Sequence, residues 1–261
     1  MAYNEKNFQE NNLAIKDKHL KYYLSPILVK NKFKHGFFTK TSSEINLSLL
    51  SKHVSKNNND CILNQVHSNH IVLGSKTQKN QVVKADGIFS DKHNQNLWIY
   101  TADCMPILFA DKRKRSVAAI HCGRKGLEKK ILKNIIKKFN NEGCLNKDII
   151  VAIGPSISKK YYLVDDKTLK DFYLNGSYKE SISFLDNKDI LLTLKKLVNN
   201  KNQILNPLDL KKYAHIHLLK ENIPSANIDI SNLCTYESNH NFHSWRRSKT
   251  HLRQWNFICH K

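Results

Sequence analysis

Two histidines and one cysteine, far apart in the chain, are the residues whose types could do chemistry. His67 lies in CILNQVHSNHIV, Cys104 in TADCMPILFAD and His121 in SVAAIHCGRKG. Two imidazoles and a thiolate are borderline-soft donors that suit zinc, with copper as the alternative. Three protein ligands, not four, would leave one coordination position for water or substrate, as in catalytic zinc sites. The separations are too long for a local finger, so folding itself has to assemble such a site.

Each of these residues also has a plain alternative. Cysteine is among the most buried residue types, and Cys104 opens an apolar run where it could simply fill core. His121 could be a satisfied core histidine, and His70 competes with His67 for the ligand position. Without a metal, Cys104 could act as a nucleophile activated by His121, as in a Cys-His hydrolase. Asp103, next to Cys104, could orient an imidazole or serve as general base, or else close a turn. Gly123 and Gly126 flank Arg124 and Lys125 where a helix begins, and such a start can hold phosphate. Arg246 and Arg247 are the only adjacent arginine pair. With Arg253, and with Phe242, Trp245 and Trp255 interleaved, they could grip an anion.

The elements that must position these residues follow from periodicity. MPILFAD and SVAAIHC are runs of buried-strand length joined by DKRKR, which predicts a hairpin. Placing Ala110 opposite Ser116 puts Met105 opposite His121. Cys104 is then beside the imidazole at the hairpin's open end. A slip of one residue would change the faces but not this adjacency. LWIYTAD reads as another buried strand. Residues 61–74 read as two short strands or a bent one around His67, and Ile27 to Phe38 as a strand region. Residues 125–141 predict one amphipathic helix with Leu127, Ile131, Leu132, Ile135, Ile136 and Phe139 on its apolar face, stopped by Gly143. IIVAIGP reads as a strand. Residues 166–174 form a helix capped by Asp165 or Asp166, and Asp209 caps a helix in LKKYAHIHLLKENI that Pro224 closes. Strands follow near 228–231 and in QWNFICH. Without a regular βαβ beat, this order predicts an α+β fold and not a doubly wound one.

Composition sets outer bounds. The chain has 261 residues, of which 40% are hydrophobic, enough for a globular core. We expect a single domain over residues 25–261, preceded by a polar lead-in over 1–24 that is loosely ordered or helical. MAYNEKNFQENN lacks the apolar stretch of a secretory signal, and no run is long enough to span a membrane. The six cysteines include no C-x-x-C pair, so the expectation is reduced thiols in a cytoplasm. The net charge of +21 invites a basic nucleic-acid-binding protein with a structural metal as an alternative. The charge is mostly lysine and spread along the whole chain, which instead predicts a solvated basic surface that attracts small anions.

Taken together, NQVHSNHIV, ADGIFSD, TADCMPILFAD, VAAIHCGRKG, AIGPSIS with Tyr162 and Val164, LDL at 208–210, and CTYESNHNFHSWRRS followed by LRQ carry a resemblance. In order and spacing the chain resembles the laccase-domain purine nucleoside phosphorylase family. That family is also described as multicopper polyphenol oxidases and as peptidoglycan-editing factors. The resemblance runs from about residue 33 to the C-terminus. It implies packed mixed β-sheets flanked by helices, a layered sandwich. It also implies zinc held by His67, Cys104 and His121, with catalysis around Asp103, Cys104 and His121. The implied substrate- and phosphate-binding residues are Lys40, Gln65, Lys125, Arg246 and Arg247. The implied reaction is phosphorolysis of adenosine, inosine or methylthioadenosine to free base and ribose 1-phosphate, with adenosine deamination as a side activity. Copper-linked phenol oxidation would be the alternative. The sequence departs from the family pattern at three places. His-Cys-Gly-Arg-Lys-Gly at 121–126 replaces H-A-G-W-R-G, Lys40-Thr41-Ser42-Ser43 replaces R-x-G-G, and Leu163 replaces an acidic residue.

Overall fold

The structure is a computed structural model that describes residues 7–8, 13–17, 20–55, 59–77, 83–174, 197–198 and 204–259. Its strands are β1 (Asn7–Phe8), β2 (Leu13–Asp17), β3 (Leu20–Tyr23), β4 (His35–Phe38), β5 (Asn59–Cys61), β6 (Leu63–Asn64), β7 (Ile71–Leu73), β8 (Val83–Lys84), β9 (Gly87–Phe89), β10 (Gln95–Thr101), β11 (Met105–Asp111), β12 (Val117–Cys122), β13 (Ile149–Ile153), β14 (Leu163–Asp165), β15 (Leu197–Val198), β16 (Ile204–Pro207), β17 (Ile228–Ser231) and β18 (Gln254–Cys259). Its α-helices are α1 (Pro26–Lys30), α2 (Leu47–Val54), α3 (Arg124–Glu128), α4 (Ile131–Asn141), α5 (Asp166–Leu174), α6 (Leu210–Lys220) and α7 (Trp245–Ser248).

Two mixed sheets pack face to face. Among the described residues one runs β1-β17-β13-β11-β12-β9-β7 and the other β2-β3-β4-β18-β10-β5. Side chains alternate along a strand, so a strand buried on both faces must be apolar at every position. β11 follows this rule. Ile107 and Phe109 turn to the helix side, where they meet Leu132, Ile136 and Phe139 of α4 and Tyr213 and Leu218 of α6. Leu108 and Ala110 turn the other way, toward Phe37, Leu97, Ile99 and Ile258 of the second sheet. β10 repeats the logic, and its Trp98 packs beyond the second sheet against Phe38, Phe257 and Leu50 of α2. The α+β layered architecture expected from the sequence is what the molecule has.

Several local expectations need correction. The β11–β12 hairpin pairs Ala110 with Val117 and Met105 with Cys122, one residue from the expected register. The reason lies in the turn, where the Asp111 side chain accepts from the Arg113 and Lys114 amides and Asp111 N–H donates to Ser116 O. The chain therefore turns inside 111–116, which leaves Val117 as the first residue of the return strand.

The helix expected over 125–141 is broken. α3 and α4 meet at Lys130, whose φ of 65° is left-handed. α3 stays with the end of β12, where Gly126 fits close to Ser68 O and Cys122 Sγ. α4 lies across the sheet, and one straight axis does not serve both contacts. All six expected apolar residues are nonetheless buried.

Within the strand region expected from Ile27, residues 26–30 form α1, with Pro26 in its first turn, and only His35–Phe38 is extended. Proline is favoured at such a helix start. The described residues of the lead-in over 1–24 form strands β1, β2 and β3. β3 joins the second sheet through β4, with Leu20 and Tyr23 buried.

Caps at the later helices match their sequence signals. Asp165 Oδ1 accepts from Thr168 N–H, and Asp209 Oδ1 from Lys212 N–H.

Candidate metal centre

One strand and two connecting segments bring His67, Cys104 and His121 together. His121 is on β12, the strand paired with β11, and is 5% exposed. Cys104 closes the tight connection from β10 to β11. Asp103 just before it has φ 89°, a backbone conformation that costs energy in a non-glycine residue. His67 lies in the loop between β6 and β7 and is itself left-handed at φ 58°. Strained backbone thus occurs at or beside two of the three positions. One ligand atom from each residue lies within 4.8 Å of the others. Cys104 Sγ is 3.9 Å from His67 Nε2, and the two imidazole rings meet edge to face at 4.8 Å between centroids.

The carboxylate that orders this cluster is Asp86, which the sequence reading passed over. It is fully buried, and its Oδ1 accepts from His121 Nδ1 at 2.8 Å. That bond turns His121 Nε2 toward the sulfur. The same carboxylate accepts from the backbone N–H groups of Val66, His67 and Ser68 and from Ser68 Oγ, so it also sets the loop that carries His67. One buried side chain therefore fixes the position of two imidazoles. In the sequence, Asp86 before Gly87 at a strand entrance looks like an ordinary turn residue, and nothing local announces its partners.

Charge in the cluster is mutually supported. Burial disfavours ionisation at each group, yet attraction outweighs it. The Cys104 thiol is lowered to about 6 by His121 and His67, and His121 is raised to about 9 by Cys104 and Asp86. Asp86 is also penalised by burial, but bonds from His121 and Ser68 hold it down at about 2. Each group therefore favours the charged form of its neighbour.

The donor set fits one zinc ion. Bonds of roughly 2.0–2.3 Å in a tetrahedron place ligand atoms about 3.3–3.8 Å apart. The observed 3.9 Å between Cys104 Sγ and His67 Nε2 needs only a small adjustment. Gly123 leaves room for the sulfur, because a Cβ there would come within 2.6 Å of Cys104 Sγ. His121 is buried, while His67 is exposed and Cys104 partly so, so the cluster reaches the protein surface. Among the described residues this is the one cluster of such ligands, whereas a multicopper centre needs several. His70, the rival of His67, points instead toward a groove shared with Lys84 and Lys137.

The other expected site residues are placed as follows. Asp103 does not orient an imidazole. Its carboxylate accepts from Thr235 Oγ1, Ser244 Oγ and Arg246 N–H, tying the C-terminal segment to the turn before Cys104. The amide of Gln65 is occupied by both backbone groups of Tyr100, at 2.7 and 2.9 Å, where it acts as an extra rung against β10. The Arg247 guanidinium donates to the carbonyls of Thr235, Tyr236 and Phe242 and so has a structural post. Lys40 Nζ donates to Asn239 O, and Lys125 is exposed. Arg246 donates to Leu163 O and lies 4.9 Å over the Tyr162 ring. Arg124, which shares with Lys125 the helix start that can hold phosphate, pairs with Glu128 and interacts with the Tyr162 hydroxyl.

Comparisons with other proteins agree with the motifs. The family model described as multi-copper polyphenol oxidoreductase laccase matches residues 39–261. A Synechocystis protein named purine nucleoside phosphorylase is 30% identical over 186 residues, 67% of each chain. A Clostridium acetobutylicum protein of the same name is 32% identical over 202 residues, 76% of each chain. The crystal structure of the Bacillus licheniformis hypothetical protein YfiH superposes with a TM-score of 0.77 at 23% identity, covering 96% of this chain and 100% of that one. On the match over 39–261, together with relatives of this identity, the chain belongs to the multi-copper polyphenol oxidoreductase laccase family.

Proposed function

We propose that this protein is a zinc-dependent purine nucleoside phosphorylase acting on adenosine, inosine or methylthioadenosine. The observation that carries this reading is the convergence of His67, Cys104 and His121 at the protein surface. Relatives named purine nucleoside phosphorylase, at about 30% identity, support the reaction class. A bound zinc would supply a Lewis acid facing the purine and could lower the pKa of a water molecule for the side deamination.

This chain's own residues do the rest. Asp86 holds the His121 ring and the His67 loop, so the donors are set before substrate arrives. The aromatic and cationic rim of Tyr162 and Arg246 can receive the nucleoside and an anion. Asp103 acts as a positioning residue through α7 and Cys104, not as the general base expected from its neighbourhood.

The decisive experiment mixes purified protein with inosine or adenosine, with and without inorganic phosphate, and follows free base. Base released only with phosphate, and lost together with zinc in Cys104→Ala, is the expected result. Phosphate-independent release would make the enzyme a hydrolase. The close approach of the Cys104 sulfur to two imidazoles supports a second reading, in which Cys104 is itself the nucleophile. Full activity in metal-free protein, with a covalent adduct at Cys104, would favour that reading.

A further inference from the structure

Three segments near the candidate metal centre carry charged or hydroxyl groups that meet around Tyr162. Arg124 follows Gly123, whose α-carbon faces Cys104 Sγ. Arg246 lies in the first turn of α7, and its N–H is held by Asp103, the neighbour of Cys104. Tyr162 precedes β14 and is packed at the margin of the main core. The Tyr162 hydroxyl is within hydrogen-bonding and charge reach of Arg124, and within charge reach of both Arg246 and Cys104. The Arg246 guanidinium lies 4.9 Å over the same ring.

Two arginines are thus gathered around one phenol, where like charges repel unless an anion sits between them. The anion present is Glu128, which pairs with Arg124 one helical turn away. Arg246 gives Leu163 O one of its N–H groups, and among the described residues no carboxylate pairs with it. A guanidinium offers a planar fork of donors that matches a tetrahedral oxyanion as well as it matches a carboxylate.

We propose that Arg124, Arg246 and the Tyr162 hydroxyl form the oxyanion pocket of this protein, occupied by inorganic phosphate as co-substrate, with Glu128 as the internal anion that phosphate displaces from Arg124. The proposal rests on the phosphorylase reading and names the phosphate subsite within it. It shifts the main role away from Lys125, which is exposed, and from Arg247, whose guanidinium is spent on carbonyls. No covalent step is assigned to these residues. They bind and orient the nucleophile.

The test is steady-state phosphorolysis by the intact, zinc-loaded protein with phosphate and nucleoside varied separately. Arg124→Gln is expected to raise the KM for phosphate about tenfold or more, the scale of one charge-assisted hydrogen bond, with the nucleoside KM changed less than about twofold. Glu128→Gln is expected to lower the phosphate KM by removing the competitor. Arg124→Lys, which keeps charge but loses the fork, should fall between wild type and Arg124→Gln and covers the case of a poorly folded glutamine variant. Arg113→Gln removes the same charge from an exposed residue near Asp148 and should leave both constants unchanged. An unchanged phosphate KM in Arg124→Gln, or an equal rise in both KM values, overturns the proposal while leaving the phosphorylase reading intact.

If wild type shows no phosphate-dependent base release, the parent reading fails, and the pocket is judged by binding alone. Thermal unfolding is then compared in phosphate and in chloride at matched ionic strength. A rise in Tm with phosphate that Arg124→Gln abolishes keeps the pocket. No rise, or the same rise in the variant, removes it.

Discussion

At the scale of single residues, the centre depends on a short list of contacts, each with its own signature. Cys104→Ala and His121→Ala remove a ligand, and zinc content by elemental analysis should fall below stoichiometric in both. Activity should fall by two or more orders of magnitude if the metal stabilises the leaving base. Asp86→Asn keeps the shape but loses the charge that orients His121. Outer partners of this kind typically carry about 10- to 100-fold in metal affinity, so a chelator competition should show a shift of that size. Asp103→Asn should leave zinc affinity near wild type, because its carboxylate serves Thr235, Ser244 and Arg246 and not a ligand. Gly123→Ala should weaken metal binding without unfolding the protein, since the new Cβ meets Cys104 Sγ and not core backbone. The donor types and their identities were legible in the sequence. The orienting role of Asp86 was not, because its partners come from a loop and a strand that are adjacent only after folding.

At the scale of elements, hydrophobic period located most strands and helices, and local backbone chemistry decided their limits. The α3–α4 break is the clearest case. Period alone reads GLEKKILKNIIKKF as continuous helix, since the apolar stripe carries across the break. What the stripe does not carry is the left-handed backbone at Lys130. Lys130→Gly relieves that conformation and should stabilise the protein by about 0.5–1 kcal/mol in chemical unfolding. The same change in the middle of α4, at Lys133 for instance, should destabilise by about 1 kcal/mol. Phe139 packs against Phe89 and Phe109 in the main core, and Phe139→Ala should cost about 3–5 kcal/mol. The hairpin register slipped by one for a similar reason. Charge and length suggested a turn, but the Asp111 side chain determines which residues it contains.

For the whole molecule, three apolar layers hold the two sheets, and buried titratable groups weaken its stability in acid. His35 is 3% exposed. Its Nε2 accepts from Ser25 N–H and its Nδ1 donates to Phe33 O, which suits the neutral ring. Burial pushes His35 down to about 4, and His217 down to about 4 as well. An unfolded chain binds these protons near pH 6.5, so stability is full above that value and declines as pH falls toward about 4. Asp86 adds a second loss at lower pH, between its ordinary range near 3.8 and about 2. Urea midpoints should therefore drop from pH 7.5 to pH 4.5, and His35→Gln should flatten that slope. No helix among the described residues is long and apolar enough to cross a membrane.

The sequence by itself determined the layered α+β class, the family, and the three donors of the candidate centre. Apolar alternation, strand-length runs and unusual donor residues are local properties, readable without coordinates. Only the tertiary structure decided that a buried Asp86 serves two imidazoles, that Arg247 and Gln65 are spent on backbone, and that Arg124 and Arg246 converge on Tyr162. Those outcomes depend on how distant segments share space and neutralise charge away from water, and a one-dimensional pattern does not encode which segments become neighbours.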